Sequence, residues 1–139
     1  MSPSSNIEKL ISVQDIDGLI KLFESKEHSV DAVKAIVKIG SSTLSYLIKA
    51  LSHENSSVRF HACMAMQYLK DPRSVEPLTE SLRDKDLGVH IGARTALVKI
   101  GKPSIEHLHS LLNDPDYKIS KAAEWCLKKI EETEKLDLK

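Results

Sequence analysis

Cysteine and long apolar runs are scarce in this sequence, and each shortage excludes a class of protein. Its two cysteines, Cys63 and Cys126, cannot form the disulfide framework of a small secreted domain. The polar residues 1–6 lack the apolar core of a signal peptide. No run of apolar residues approaches the roughly 20 that a transmembrane helix needs. We therefore expect a soluble, cytoplasmic protein with no membrane partner.

An excess of charge of one sign is also missing, because 20 basic residues balance 20 acidic ones. Proteins that bind nucleic acids usually show a basic excess or a basic stripe, so this balance disfavours that class. Aromatic residues make up only 4% of the 139 residues, whereas hydrophobic residues make up 41%. The chain thus has enough apolar residues for one domain, whose core must consist mainly of leucine, isoleucine, valine and alanine.

Four segments of the sequence align with one another, at residues 15–40, 43–70, 74–101 and 104–131. Each opens with a residue whose side-chain oxygen can cap a helix N-terminus, namely Asp15, Thr43, Ser74 or Ser104. Apolar residues follow at helical spacing, including Leu19, Leu47, Leu78 and Leu108, and then Phe23, Leu51, Leu82 and Leu112. This pattern predicts a short first helix, A, in each of four repeats.

A second helix, B, is predicted after a polar break in each repeat, with the cap candidates Asn55, Asp86 and Asp116. Small residues fill two of its columns: Ala32, Ala62, Ala93 and Ala123, then Ala35, Ala65, Ala96 and Cys126. Small side chains let helices approach closely. Gly40 and Gly101 follow two of the B helices, where a left-handed C-cap residue is expected. Because one A/B pair cannot bury its apolar face alone, the pairs are predicted to stack.

The third repeat resembles a known family. Its residues Asp71-Pro72-Arg73-Ser74-Val75-Glu76-Pro77-Leu78, with Val89, Ala93, Ala96-Leu97 and Ile100-Gly101, resemble the HEAT-like repeat of phycobilin lyase subunits. The resemblance covers about residues 15–132. It implies an all-α fold, a right-handed α-solenoid of about four helix pairs in a single domain over 1–139. Members of that family have many roles, so the motif is specific for the fold and not for the function.

The two ends of the sequence read as caps of the repeat array. Ser5-Asn6-Ile7-Glu8 matches a capping box and predicts a short capping helix over residues 5–12. At the other end, the last predicted helix becomes polar from Lys128-Lys129 onward, which suits a terminal face in water.

The cysteines and one arginine are interpreted from their repeat columns. Cys126 shares its column with three alanines and is predicted to be a buried packing residue. Cys63 shares its column with charged residues and is predicted to be a more exposed thiol. Arg59 follows Val58 in the Val-Arg pattern of the HEAT-like family, where the arginine often pairs with a loop aspartate. The equivalent residues are His90 and Ser120, so we interpret Arg59 as part of a surface salt bridge.

The histidines give no pattern typical of a metal site. His107 and His109 are two residues apart and point to nearly opposite sides of a helix. His61 and His90 lie near the starts of neighbouring B helices, yet two histidines make only half a site. Among HEAT families, deoxyhypusine hydroxylases bind iron through paired His-Glu dipeptides, whereas this sequence has the single His53-Glu54. We therefore predict no metal, no cofactor and no catalytic residues.

The outward face of the B helices is unexpectedly apolar. In HEAT solenoids these helices line the concave surface, and here the residues opposite the predicted core are Val30, Lys34, Val37, Phe60, Met64, Gln67, Ile91, Thr95, Val98, Lys121, Trp125 and Lys128. Contiguous apolar surface usually marks a contact site, and Trp, Phe and Met are enriched in interface cores. Alternatively, these side chains tuck between adjacent B helices or meet an extra helix.

This face favours a non-catalytic scaffold or adaptor that binds a partner peptide or helix, or a second copy of the chain. One alternative is a subunit of an enzyme, either a bilin lyase-like protein or a metal-dependent hydroxylase. A third is nucleic-acid binding, for which the basic residues of the face are few and mixed with apolar ones.

Overall fold

The computed structural model describes residues 3–137, with side chains from residue 6 onward, and all regular structure in this range is helical. The α-helices are α1 (Pro3–Ser12), α2 (Ile16–Lys21), α3 (Ser29–Ile39), α4 (Leu44–Ala50), α5 (Ser56–Leu69), α6 (Val75–Ser81), α7 (Leu87–Ile100), α8 (Ile105–Ser110) and α9 (Tyr117–Asp137). The predicted all-α class is confirmed. Helix α1 begins at Pro3, and the side chain of Ser5, with its predicted capping role, lies outside the described ones.

Two compact units make up the chain, Met1–Leu69 and Lys70–Lys139. The first contains α1 and the A/B pairs α2/α3 and α4/α5, with α3 packed against α5. The second contains the pairs α6/α7 and α8/α9, with α7 packed against α9. Helices therefore alternate in the A/B order that the repeat columns predict. A single domain over residues 1–139 stays a prediction.

The N-cap prediction for the A helices is confirmed for Asp15, whose carboxylate accepts a hydrogen bond from the Gly18 amide at 2.9 Å. It is wrong for the other three repeats, because a 3-10 turn precedes each of those helices. The Ser74 hydroxyl is buried without a hydrogen-bond partner among the described residues, whereas the other two hydroxyls bond to an upstream carbonyl. Thr43 donates to the Gly40 carbonyl and Ser104 to the Leu97 carbonyl, each at 2.8 Å.

The caps predicted for the B helices are all present. The side-chain oxygens of Asn55, Asp86 and Asp116 accept hydrogen bonds from backbone amides two or three residues later, at 2.8–3.3 Å. Gly40 and Gly101 end α3 and α7 with φ values of +101° and +81°. Their ψ values of −160° and −129° lie outside the left-handed helical region. The predicted left-handed C-cap is therefore wrong in ψ, although φ is positive, and the observed conformation is one that glycine adopts far more readily than other residues.

The predicted core columns are buried with few exceptions. Fully buried members include Leu19, Leu47, Leu78 and Leu108 of the A helices and Ala32, Ala62, Ala93 and Ala123 of the B helices. The column of Phe23 and Leu82 is less buried in the other two repeats, where Leu51 is half-buried and Leu112 is 37% exposed. The B helices also bury residues that the columns did not single out as core: Val33, Ile36, Cys63, Met66 and Leu97. The buried surface of α3, α5 and α7 is thus wider than the single stripe that the columns predicted.

Candidate protein-binding surface

In the first unit the structure brings part of the predicted face together as a groove between α3 and α5. Val30, Lys34, Val37 and Met64 all line this groove, which has a volume of about 520 Å³. Val30 is 50% exposed, and Val37 and Met64 are half-buried. Phe60 and Gln67 are half-buried as well but do not line the groove. The alternative that these side chains tuck between helices therefore holds only in part.

Two residues that line the groove, Tyr68 and Lys38, do not belong to the face predicted from the sequence. Tyr68 is 59% exposed, a large amount for an aromatic side chain beside an apolar groove. Both residues continue the predicted columns by one helical turn, since Tyr68 follows Met64 by four residues and Lys38 follows Lys34 by four. Extending each column to the end of its helix would have found them.

The charge of the groove is positive. Its lining includes Lys34 and Lys38, both exposed, and no carboxylate. We refer below to Val30, Val33, Lys34, Val37, Lys38, Met64 and Tyr68 as the α3–α5 groove.

In the second unit the predicted face spreads over α7 and α9. Ile91 is 40% exposed, Thr95, Val98 and Trp125 are half-buried, and Lys121 and Lys128 are exposed. Leu87 and Tyr117 add more exposed apolar surface, at 66% and 72%. Each lies one helical turn before a predicted face residue, so the same extension of the columns would have found them too.

The cations that contact the Trp125 ring are not Lys121 and Lys128, the two lysines of α9 in the predicted face. The guanidinium carbon of Arg94 lies 4.5 Å from the centre of the indole ring, and the ammonium of Lys129 lies 5.9 Å from it. Lys121 instead faces the Tyr117 ring and forms an ion pair with Glu124 at 3.2 Å. The tryptophan is thus a half-buried ring with a guanidinium stacked on it.

Both cysteines are buried. This confirms the prediction for Cys126, whose thiol donates to the Arg94 carbonyl across 3.6 Å. Burial raises the pKa of the Cys126 thiol from 9.0 to about 12, against a smaller opposing effect of Arg94. The exposed position predicted for Cys63 is wrong, because the flank of α5 that carries it is buried along with the alanine stripe. Its column changes character along the chain, from buried Val33 to exposed Glu124.

The Cys126 thiol is expected to make stability fall at alkaline pH. The unfolded thiol ionises near pH 9.0 while the folded one keeps its proton to about pH 12, so the native state binds more protons between these values. Stability from this group is complete below pH 9 and falls by about 1.4 kcal/mol per pH unit above it. Urea unfolding of wild type and Cys126→Ala at pH 8 and pH 10.5 tests this. A difference between the two proteins that does not change with pH would contradict it.

Three of the six histidines make hydrogen bonds to the backbone of their own units. His53 accepts a hydrogen bond from the Asn55 amide at 3.0 Å, and Nδ1 of His61 donates to the Ser57 carbonyl at 2.7 Å. His90 is buried, and its Nδ1 donates to the Leu82 carbonyl at the end of α6 at 2.8 Å. Within residues 3–137, no three His, Cys, Asp or Glu side chains cluster closely enough to hold a metal ion.

Arg59 is buried, so the surface position predicted for it is wrong. The side chain is buried, and its Nη1 donates to the carbonyls of His53 and Glu54 at 2.9 and 3.0 Å. These carbonyls belong to the turn between α4 and α5. Arg59 therefore fixes the geometry of that turn.

Comparison with known proteins gives one family match. The sequence model of the family described as HEAT repeats matches residues 16–98, and no curated protein matches the chain significantly. Two crystal structures of engineered proteins are similar to it. One is 22% identical over 93% of this chain and 67% of its own length, with a TM-score of 0.49. The other is 21% identical over 94% of this chain and 41% of its own length, with a TM-score of 0.48.

The family match agrees with the α-solenoid class that the repeat columns predict. Across the described residues, every helix is too short or too polar to cross a membrane.

Proposed function

Because the chain belongs to the HEAT-repeat family, we propose that it is a non-catalytic scaffold that binds a peptide or helix of a partner protein. Such repeats commonly mediate protein interactions. The binding surface in this proposal is the outward face of the B helices, taken separately in each unit. In the first unit it is the α3–α5 groove with the adjoining Phe60 and Gln67. In the second it comprises Ile91, Thr95, Val98, Lys121, Trp125 and Lys128.

The observation that carries the proposal is the α3–α5 groove. Its volume of about 520 Å³ is that of a site for a few apolar side chains. An amphipathic helix that lies along such a groove places residues three or four apart into it. Val30 and Tyr68 leave at least half of their surfaces in water, and a partner would remove that apolar surface from solvent.

The rim of the groove indicates the charge of its partner. Lys34 and Lys38 lie one turn apart on α3, beside apolar Val30 and Val37. A partner helix with acidic residues beside its apolar anchors would complement these lysines and associate faster at low salt. A basic partner would meet like charges at the same rim.

The double variant Met64→Ala/Tyr68→Ala is expected to reduce partner capture at least about tenfold, because both anchor contacts are removed from the groove. Its thermal unfolding midpoint is expected to change little, since Met64 and Tyr68 are only half-buried and exposed, respectively. The measurement is quantitative affinity capture from the source cell with mass spectrometry, together with a thermal melt of each protein.

Tyr46→Ala is the matched control, because Tyr46 is a 41% exposed tyrosine on α4 that does not line the groove. This variant should capture the same proteins as wild type. If the double variant also captures them undiminished, the groove is not the binding surface. Light scattering tests whether the occupant is a second copy of the chain. In that case wild type forms a dimer and the double variant is a monomer.

A further inference from the structure

Arg94 of α7 is a stacked guanidinium that has no hydrogen-bond acceptor among the described residues. Its guanidinium carbon lies 4.5 Å from the centre of the Trp125 ring, and its Nε is buried with no hydrogen-bond partner among the described residues. The Arg94 side chain as a whole is half-buried, and its two terminal nitrogens make no hydrogen bond to the described residues. The stack holds the side chain in place while leaving its donors unused.

A guanidinium in this state is suited to a planar anion. Arginine presents parallel N–H groups that match the two oxygens of a carboxylate, and such charge-assisted pairs are among the stronger hydrogen bonds. Stacking on Trp125 restricts the side chain before any ligand arrives, which lowers the entropy cost of binding. The Lys129 ammonium, 5.9 Å from the same ring, adds positive potential, although it also pairs with Glu132 at 3.4 Å.

Apolar surface lies beside this guanidinium on the same helix. Ile91 precedes Arg94 by three residues and Val98 follows it by four, so all three lie on one side of α7. Ile91 is 40% exposed and Val98 is half-buried. A ligand that reaches the guanidinium can therefore also bury an apolar side chain.

We propose that Arg94, stacked on Trp125, receives a glutamate or aspartate carboxylate from an acidic, amphipathic peptide segment of a partner. The carboxylate pairs with the terminal nitrogens of Arg94, and a neighbouring apolar side chain of the peptide packs on Ile91 and Val98. This inference deepens the proposed function and rests on it, since it specifies the chemistry of the partner at the second unit.

A peptide carboxylate suits this surface better than a nucleic acid does. Glu124 immediately precedes Trp125 and is exposed, and Glu132 lies one turn beyond Lys129. Both carboxylates pair with lysines of α9, so this face lacks the continuous basic stripe that holds an extended chain of phosphates. The zero net charge of the whole chain points the same way.

The fluorescence of Trp125, the only tryptophan in the chain, reports binding at this position. The probes are a synthetic peptide of twelve residues made of leucine and glutamate, and the same peptide with glutamine in place of glutamate. The glutamate peptide is expected to bind about 10- to 100-fold more tightly, the range for a hydrogen bond to a charged group. Arg94→Gln should bring both peptides to the same affinity. Arg94→Lys should give an intermediate value, because it keeps the charge and loses the planar donors.

Lys99→Gln is the matched control, since it removes an exposed cation of α7 that lies outside the proposed binding surface, and it should leave the glutamate peptide bound within about twofold. Equal affinity of the two peptides for wild type, or no binding of either, would overturn the inference. So would unchanged binding by Arg94→Gln, even if that variant melts at a lower temperature, because Arg94 would then serve packing alone. Tighter binding of a twelve-nucleotide single strand of thymidine would replace the peptide with a nucleic acid.

Failure here is distinguishable from failure of the proposed function. If Arg94→Gln leaves peptide binding unchanged while Met64→Ala/Tyr68→Ala loses the captured partner, the scaffold function stands and the carboxylate site does not. If wild type captures no partner and binds neither peptide, both proposals fail.

Discussion

Replacing Phe23 by alanine is expected to lower the free energy of unfolding by about 3–5 kcal/mol. The ring is fully buried, with its centre 5.8 Å from the His61 ring, so its removal forfeits apolar burial and leaves a cavity. This loss is a large part of the roughly 5–15 kcal/mol that stabilises a typical domain. Urea unfolding followed by circular dichroism at 222 nm measures it.

Leu112→Ala is the control for that experiment, because Leu112 occupies the same repeat column but is 37% exposed. Its expected cost is below about 1 kcal/mol, since less apolar surface is lost and solvent fills the space. Equal destabilisation by the two variants would mean that the column is equally buried in the first and last repeats, contrary to the structure.

Replacing Ala93 by leucine has the second-largest expected effect, a loss of about 2–3 kcal/mol from overpacking. Ala93 is fully buried on α7, a helix that packs against both α6 and α9. Three added carbons have no space there without a displacement of one neighbouring helix. Thermal and urea unfolding of the variant measure the loss.

Lys99→Leu gives the comparison on the same helix, because Lys99 is exposed and the substitution adds a leucine without overpacking. That variant is expected to stay within about 0.5 kcal/mol of wild type. A fully stable Ala93→Leu protein would show that the small residue in this column is not required for close helix packing.

The fold could be predicted from the sequence because four aligned repeats show four residues for most structural positions. Leu19 and Leu78 are fully buried, as the aligned columns predict. Cys126 is buried too, and its burial was predictable because three alanines share its column. Helix caps with carboxylate or amide side chains, such as Asp86, were equally predictable. Their preference for helix N-termini arises from bonds to amides only two or three residues away.

The hydrogen bonds of the serine and threonine hydroxyls before the A helices could not be predicted from the sequence pattern. A serine or threonine before a helix fits an N-cap and fits a donor to an upstream carbonyl equally well, and only the 3-10 turn ahead of Thr43 and Ser104 separates the two. The prediction that Cys63 is exposed was wrong for another reason. Its column includes a charged residue in two repeats, and one-dimensional columns do not show that burial changes along the array.

The candidate surface was predicted in outline and not in its contacts. Helical periodicity gave the direction of Met64 and Trp125, yet it could not show that Arg94 covers the indole ring. Arg94 belongs to a different column of a different helix, and only the packing of α7 against α9 brings the two side chains together. Cross-helix pairs of this kind depend on interhelical distance, which no single-helix pattern contains.

The A helices α2, α4, α6 and α8 are only six or seven residues long, and this length determines how the molecule opens. A helix that short does not persist in water, because the cost of nucleation exceeds what one or two turns recover. Its amide protons are therefore protected only while the partner B helix stays packed on it. The smallest segment that unfolds cooperatively is then a helix pair. Amide hydrogen exchange should therefore show the two helices of one repeat opening together and not one at a time.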